Sequence, residues 1–337
     1  MRQLVRAAGA CKNEEAHAPV SVLTAGEFWG VRMVAVADFR SLAAMSRRVA
    51  LDLWRVPESV DLVVAVPQSG RVPAAFLALQ IGRPVVDLDW FLERNGRGTA
   101  HALLVDDICR TGATMAAAHQ RVLARFSDLR LTTLVVYCQR GSEAHVDIAL
   151  ETAESELLLE WSLFRSPVMA RACLDMDGIL CGDATVEQDD DGPQYLDFLF
   201  TTPRHTVPRG RIHRIVTSRL EKYRAETEAW LARQGIEYDA LTMLDLPSEA
   251  ERRRLRPQGR FKAEVYRSDS EAMLFVESET WQARQIARAV PGKPVFDYRS
   301  RTLIDSDSLR ASGIKRQLRA HLLWRARLVG KKLGLRV

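Results

Sequence analysis

The chain has 337 residues, of which 47% are apolar and 27% charged, a composition typical of a globular protein with two or three hydrophobic cores. No apolar run approaches the roughly 18 residues that a membrane span needs, and residues 1–20 lack the apolar stretch of a secretory signal. The five cysteines are scattered and form no CxxC pair, which argues against a disulfide framework or a zinc site and favours a cytoplasmic protein.

The formal net charge of +5 is concentrated at one end of the chain. Residues 314–337 carry eight Lys or Arg side chains and no acid, so the remainder has a net charge of about −3. We therefore do not expect nucleic acid as a partner. On a helical wheel this segment has an apolar face and a basic face, so it either contacts an anionic membrane surface or docks on the protein with its basic face in solvent.

Hydrophobic periodicity predicts strands that alternate with helices in the first half of the chain. In chain order we expect a helix at 39–54, a strand at 60–66, a helix at 72–80, strands at 84–88 and 103–105, a helix ending at 126 and a strand at 132–137. Such alternation is typical of a parallel sheet covered by helices.

The second half repeats the alternation. We expect strands at 172–174, 212–216, 272–276 and 295–296, helices at 222–234 and 281–289, and an irregular acidic insert at 187–194. The fold class is therefore α/β, with two Rossmann-like parallel-sheet domains and a carboxy-terminal basic helix. We place the domains at 1–155 and 165–305, followed by an amphipathic tail at 306–337.

The most informative string is Leu-Leu-Val-Asp-Asp-Ile-Cys-Arg-Thr-Gly-Ala-Thr-Met at 103–115. Its two adjacent carboxylates can accept hydrogen bonds from vicinal hydroxyls, and the loop after them opens a helix whose backbone N–H groups can bind a phosphate. The string resembles the phosphoribosyl-diphosphate (PRPP) motif of type I phosphoribosyltransferases. That resemblance implies that Asp106 and Asp107 hold the ribose hydroxyls. It assigns the 5-phosphate to Thr111, Gly112, Ala113 and Thr114.

A second strand end carries the loop that binds diphosphate in the same family. It consists of Gln68, Ser69, Gly70 and Arg71. The family usually has a basic residue at the position of Gln68, so Arg71 is expected to supply the positive charge. The polar segment 93–98, with Arg94 and Arg97, is the predicted loop over the diphosphate. The transfer would displace pyrophosphate from C1 of the ribose with Mg²⁺ on the diphosphate.

Four further segments carry a different chemistry. They are Asp175-Met176-Asp177-Gly178 after a strand, Thr217 at the end of another, Lys262, and Glu277-Ser278-Glu279 after a third strand. In this order they resemble the motifs of haloacid-dehalogenase-type (HAD) phosphatases.

The resemblance gives each residue of this second set a role. Asp175 would attack phosphorus and form an aspartyl-phosphate, and Asp177 would act as general acid and then as general base. Thr217 and Lys262 would hold the phosphoryl oxygens. A Mg²⁺ ion is expected among Asp175, Asp177, Glu277 and Glu279, although the family usually has Asp in the last motif. Only 39 residues separate Asp177 from Thr217, which predicts a small cap and an open pocket for a bulky substrate.

Two sites in one chain predict consecutive reactions. The first would transfer 5-phosphoribosyl from PRPP to an acceptor, and the second would remove the 5-phosphate and leave a ribofuranosyl residue. This arrangement is similar to the fused phosphoribosyltransferase–phosphatase enzymes that build ribofuranose into bacterial surface polysaccharides, over about residues 60–300. The resemblance implies a glycan acceptor, lipid-linked, with the protein at the inner face of the cytoplasmic membrane.

Other functions stay open on the sequence. One is a soluble enzyme that makes a nucleoside-like metabolite from a nucleobase. Another is a PRPP-binding regulator with a degenerate site, for which Gln68 is the only hint and against which the Asp175 and Asp177 pair argues. In a further alternative, the HAD-like domain removes a phosphate from a different molecule. The two domains would then act in the same pathway without acting on the same substrate.

Overall fold

The computed structural model describes residues 38–94, 98–206 and 208–305. The predictions for the first twenty residues, for Arg97 and for the basic tail at 306–337 lie outside the described residues. None of the helices within the described ranges is long and apolar enough to cross a membrane.

The first group of elements runs from Asp38 to Leu159. Its members are β1 (Asp38–Arg40), α1 (Leu42–Leu51), β2 (Leu62–Ala65), α2 (Arg71–Ile81), β3 (Val85–Asp87), α3 (Leu88–Glu93), β4 (His101–Cys109), α4 (Ala113–Arg125), β5 (Arg130–Gln139), β6 (Ile148–Ala153) and β7 (Leu157–Leu159). Five of the strands form an all-parallel sheet in the order β3-β2-β4-β5-β6, and β1 pairs with β7 apart from it.

Helices cover both faces of this sheet because its strands are apolar on both sides. Successive strand residues point to opposite faces. Thus Leu103 faces the core formed with α1 and α2, while Leu104 faces the core formed with α3 and α4. Both side chains are 0% exposed. A sheet buried in this way has room for polar chemistry only where its strands end.

The second group of elements runs from Ala172 to Ile304. Its members are β8 (Ala172–Leu174), α5 (Pro193–Thr201), β9 (Ile212–Leu220), α6 (Arg224–Arg233), β10 (Tyr238–Leu244), α7 (Glu249–Leu255), α8 (Gln258–Ser268), β11 (Leu274–Glu277), α9 (Thr280–Ala289), β12 (Val295–Asp297) and β13 (Thr302–Ile304). The sheet order is β10-β9-β8-β11-β12-β13, parallel except for β13.

This sheet is also covered on both faces. Trp230 of α6 lies on one side, fully buried, with its indole N–H donating to the carbonyl oxygen of Thr202 at 2.9 Å. Tyr266 of α8 and Ile286 of α9 pack on the other side. The segment that joins the two sheets contributes Leu163 and Met169 to the Trp230 side, so it is part of the second core.

The prediction of an α/β chain with parallel sheets is confirmed. The structure differs in detail, and the difference that matters most for function is in β4, which continues to Cys109 instead of ending at 105. Its neighbour β5 extends equally far and pairs with it up to Cys109, so Asp106 and Asp107 lie within the strand. The two carboxylates stay close to each other, since the backbone N–H of Asp107 donates to Asp106 Oδ1 at 2.9 Å.

Several elements of the second half carry no clear signal in the sequence. β10 is an edge strand with mostly half-buried residues, so it lacks the apolar run that marked its neighbours. α5 begins inside the predicted irregular insert, where Pro193 is the first helical residue and Asp190 accepts from the N–H groups of Gly192 and Tyr195. α8 carries Lys262 and was not predicted, because its charged residues obscure its apolar face.

The two-sided burial of β4 makes a direct prediction. Leu103→Ala should lower the free energy of unfolding by about 2–5 kcal/mol, because it leaves a cavity that neighbouring helices cannot fill. Leu79→Ala, at a side chain that is 80% exposed on α2, should change it by less than about 0.5 kcal/mol. Urea denaturation of both variants measures the difference, and equal losses would contradict the assigned core.

Candidate active sites

The first candidate site lies at the carboxyl ends of β2 and β4, where ligands of parallel sheets bind. A cavity of about 150 Å³ opens there, and its polar lining consists mainly of Gln68, Ser69, Asp107, Arg110, Arg165 and Arg209. The first four belong to the first half of the chain, and of these Asp107 lies in β4. Arg165 comes from the connecting segment, and Arg209 precedes β9 of the second sheet. The cavity therefore lies between the two halves of the chain.

Asp107 is the acidic group of this cavity. It is only 2% exposed, and its Oδ2 accepts the indole N–H of Trp161 at 3.0 Å. Burial raises the pKa of Asp107, while hydrogen bonds from Ser69 and Trp161 oppose that shift. Its position fits a carboxylate that accepts hydrogen bonds from ribose hydroxyls.

Asp106 has a different environment although it is the adjacent residue. It lies beneath Gly70, where a Cβ would come within 2.8 Å of Asp106 Oδ1 and 2.9 Å of the Val105 carbonyl oxygen. Glycine is therefore required at position 70 by the close approach to β4. Burial, followed by repulsion from Asp107, raises the pKa of Asp106 to about 8. The structure thus places Asp107 in the lining of the cavity and Asp106 against Gly70.

The predicted phosphate loop forms the start of α4. Gly112 precedes the helix with φ of +76°, and a Cβ there would overlap the imidazole of His145. Thr111, Ala113 and Thr114 are exposed, and no side chain caps the helix. The first N–H groups of a helix with these properties can bind an anion.

The predicted diphosphate loop is a single turn of 3-10 helix, Gln68–Gly70, that leads into α2. Gln68 has φ of +77°, a region that a residue with a side chain enters at a cost of about 1–3 kcal/mol. Arg71 does not reach the cavity, since its Nε donates to Asp87 Oδ1 at 2.7 Å on the surface. Arg94 lies over the Trp90 ring at 5.8 Å.

The second candidate site is built by β8, β9 and β11, which are neighbours in the second sheet. Asp175 follows β8 and Glu277 ends β11, and Lys262 of α8 lies between them with its Nζ 2.9 Å from Asp175 Oδ2 and 2.9 Å from Glu277 Oε2. All three are at most 4% exposed. The Ser278 hydroxyl donates to Asp175 Oδ2 at 2.8 Å. Three of the predicted residues are therefore brought together from distant parts of the chain.

The charges of this cluster are not balanced, because two carboxylates share one ammonium group. Burial, followed by repulsion from Asp175, raises the pKa of Glu277 to about 8. Burial also opposes the charge on Lys262, but attraction to Asp175 and Glu277 outweighs it and raises the pKa of the lysine. The cluster therefore favours a further cation, and hard carboxylate oxygens are the ligands that Mg²⁺ prefers.

Asp177 pairs with an arginine that is not part of that cluster. Arg219, 1% exposed, donates from Nη2 to Asp177 Oδ1 at 2.6 Å, and the fully buried Thr217 hydroxyl lies 3.4 Å from Asp177 Oδ2. Burial opposes the charge of Asp177, but Arg219 outweighs it and lowers the pKa of the carboxyl. The ionised form suits a general base.

The four predicted metal ligands are thus divided among three environments. Asp175 and Glu277 face each other across Lys262, Asp177 pairs with Arg219, and Glu279 pairs with Arg299 at 2.8 Å on the surface. Within the described ranges, no three His, Cys, Asp or Glu side chains are already arranged around one metal position. Asp175 and Glu277 are the pair whose chemistry fits Mg²⁺.

Sequence analysis gave no role to several residues that the structure brings to these sites. They are Arg110, Trp161, Arg165 and Arg209 at the first site and Arg219 and Ser278 at the second. Arg219 stands two residues after Thr217, so a signal was present in the motif itself. Arg165 and Arg209 had no such signal, because only the packing of the two halves brings them to the cavity.

The raised pKa of Asp106 predicts how stability changes with pH. Between pH 4 and 8 the folded protein keeps a proton on Asp106 that the unfolded chain has released, so the free energy of unfolding falls as pH rises. Asp106→Asn removes this effect. The variant should be more stable than wild type by about 1–3 kcal/mol at pH 8 and equally stable near pH 4.

Urea denaturation at the two pH values measures this difference. Asp128→Asn, at an exposed carboxylate, is the control and should follow the wild-type pH profile. An Asp106→Asn variant that also follows the wild-type profile would contradict a protonated Asp106.

Comparisons with known proteins leave the family open. No family model matches the sequence, and no curated protein does. Among solved structures, a purine phosphoribosyltransferase from Pyrococcus horikoshii Ot3 aligns over 36% of this chain and 92% of its own, at 16% identity and a TM-score of 0.31. The xanthine-guanine-hypoxanthine phosphoribosyltransferase of Helicobacter pylori aligns over 37% and 91%, at 13% identity and a TM-score of 0.31. An orotate phosphoribosyltransferase from Aeropyrum pernix aligns over 33% and 70%, at 17% identity and a TM-score of 0.26. Matches at these identities and TM-scores assign neither a family nor an activity to this chain.

Proposed function

We propose that the protein is a bifunctional enzyme that transfers 5-phosphoribosyl from PRPP to a hydroxyl of a glycan acceptor and then hydrolyses the 5-phosphate. The observation that carries this proposal is that each parallel sheet has its own polar cluster at its carboxyl edge. One cluster combines a carboxylate, arginines and a helix N-terminus. The other combines two carboxylates and a lysine.

The first reaction is a substitution at C1 of the ribose. The acceptor oxygen forms a bond to C1, the bond from C1 to the diphosphate oxygen breaks, and pyrophosphate leaves with the electron pair. Asp107 would orient the ribose through its hydroxyls, and the N–H groups at the start of α4 would hold the 5-phosphate. The acceptor proton passes to solvent or pyrophosphate.

The second reaction is hydrolysis of the resulting phosphate ester. Asp175 would attack phosphorus while the bond to the ribose 5-oxygen breaks, and that oxygen would take a proton from solvent. A water molecule would then cleave the aspartyl-phosphate and release inorganic phosphate. Asp177, held as a carboxylate by Arg219, would take the proton of that water. Lys262 would neutralise phosphoryl oxygens. Asp175 and Glu277 would hold Mg²⁺, which supplies positive charge when bound.

A glycan acceptor agrees best with the way the first cavity is formed. The cavity lies at a junction between the two halves of the chain and is lined mainly by polar groups. A nucleobase site is usually a more apolar slot. A lipid-linked glycan at the inner face of the cytoplasmic membrane is the acceptor we favour, and membrane contact would come from residues 314–337.

Asp175→Asn separates the two reactions. Wild type incubated with PRPP, Mg²⁺ and a panel of lipid-linked or synthetic glycans should give ribosylated product. The variant should accumulate the phosphoribosyl product, because hydrolysis falls by a factor on the order of 10³ or more while transfer continues. Mass spectrometry of the acceptors distinguishes these products.

Asp239→Asn, at an exposed carboxylate of the same domain, is the matched control and should behave as wild type. If only nucleobases gain mass, the acceptor class is wrong and the protein makes a nucleoside-like product. If no acceptor gains mass although PRPP binds, a regulatory function replaces the enzymatic one.

Glu277→Gln tests the role of the second carboxylate. It preserves side-chain volume but removes one of the two charges that would hold Mg²⁺. Phosphate release should fall at least about a hundredfold, with the phosphoribosyl product accumulating as in Asp175→Asn. Glu279→Gln should release phosphate at the wild-type rate, since Glu279 pairs with Arg299. The opposite pattern would assign the metal to Glu279.

A further inference from the structure

The side chain of Gln68 is the meeting point of two arginines from outside the first sheet. Arg209 Nη1 donates to Gln68 Oε1 at 3.0 Å, and Arg165 Nη2 donates to the same oxygen. Arg165 ends the 3-10 turn Glu160–Arg165 in the connecting segment, and Arg209 lies before β9. Two guanidinium groups thus converge on one neutral carboxamide oxygen.

Neither arginine has a carboxylate partner within the described part of the chain. No Asp or Glu there lies within 4.0 Å of the Arg165 or Arg209 guanidinium, although most other partnered arginines of the surface contact an acid. A third guanidinium, that of Arg110, lines the same cavity and donates to the Leu157 carbonyl oxygen at 3.3 Å. Among the described lining residues, the three arginines face one carboxylate, that of Asp107. Such an excess attracts an anion.

The position of this positive charge relative to Asp107 indicates which anion. Under the proposed function the ribose lies on Asp107 and the 5-phosphate on the start of α4. The diphosphate on C1 then lies on the remaining side of the cavity, next to Gln68. Arginine binds phosphate oxygens in a bidentate manner, and a diphosphate offers enough oxygens for two guanidinium groups.

We propose that Arg165 and Arg209 bind the diphosphate of PRPP, so that residues outside the phosphoribosyltransferase-like half complete its active site. The diphosphate replaces Gln68 Oε1 as the hydrogen-bond partner of both arginines. Its negative charge leaves the cavity with pyrophosphate. This inference rests on the proposed function. It also accounts for the neutral residue at position 68 and for Arg71, which is paired with Asp87.

The pairing also connects the two reactions in space. Arg209 belongs to the segment that leads into β9, the strand that carries Thr217 and Arg219 of the second site. Its backbone N–H donates to the Phe164 carbonyl oxygen at 2.7 Å, which fixes it next to Arg165. The diphosphate would therefore contact the segment that carries Arg209. This segment packs against the first half of the chain and leads into β9 of the second half.

The test is isothermal titration calorimetry of the full chain with PRPP, inorganic pyrophosphate and ribose 5-phosphate. Arg165→Gln and Arg209→Gln should each weaken PRPP and pyrophosphate binding about tenfold, and the double variant about a hundredfold. Ribose 5-phosphate has no diphosphate, so its affinity should stay within about twofold of wild type. Arg171→Gln, in the next turn of the connecting segment and outside the cavity, is the control and should leave all three affinities unchanged.

The outcomes separate this inference from the proposed function. If wild type binds PRPP and the double variant binds it equally well, the diphosphate assignment is wrong and the proposed function survives. An equal loss of ribose 5-phosphate and PRPP affinity also overturns the assignment, since it indicates a general effect on the cavity. Wild type that binds neither PRPP nor ribose 5-phosphate overturns the proposed function and the assignment together. Thermal unfolding shows whether each variant is folded. We expect both to fold, because Arg165 and Arg209 are exposed.

Discussion

Burial of the central strands on both faces is the constraint on which both candidate sites depend. Strands β2 and β4 in the first sheet, and β8 and β11 in the second, carry apolar side chains toward two helical layers. A charged side chain in the middle of such a strand would be desolvated without a partner. The acidic residues of both candidate sites lie at or near the carboxyl ends of the strands, and parallel pairing brings those ends to one edge of each sheet.

The buried carboxyl groups at these edges have three different environments. Lys262 contacts two carboxylates, Arg219 pairs with Asp177, and Asp106 has no cation within hydrogen-bonding distance among the described residues. Burial raises the pKa values of Glu277 and Asp106, while Arg219 lowers the pKa of Asp177. The direction of each shift follows from the environment of the carboxyl more than from residue type.

The segment that joins the two sheets contributes residues to the second hydrophobic core and to the first candidate site. The segment after β7 packs its apolar residues into the second core while Trp161 donates to Asp107 of the first site. Arg165 and Arg209 then reach Gln68 from the same junction. An arrangement in which one half supplies charge to the other depends on both halves being present. It would give the two proposed activities a physical reason to occupy one chain.

The sequence by itself determined the α/β architecture with parallel sheets, because strand burial leaves apolar runs and helix burial leaves a 3.6-residue period, both of which are local patterns. It also located the Asp106–Thr114 and Asp175–Gly178 segments, because strand ends followed by glycine and polar residues are local as well. The roles of these segments remain predictions. Strand β10 and helix α8 were not predicted. Half-buried residues in the edge strand and charged residues in the helix weaken the hydrophobic periodicity.

Only the tertiary structure decided which side chains meet. Alternation along β4 puts Asp107 on the cavity and Asp106 beneath Gly70, and this depends on how far β5 extends beside it. Lys262 reaches Asp175 and Glu277 across 87 and 15 residues of chain, and Arg209 reaches Gln68 across 141. Contacts at such separations depend on how helices and sheets pack, and residue order alone does not encode them in any local pattern.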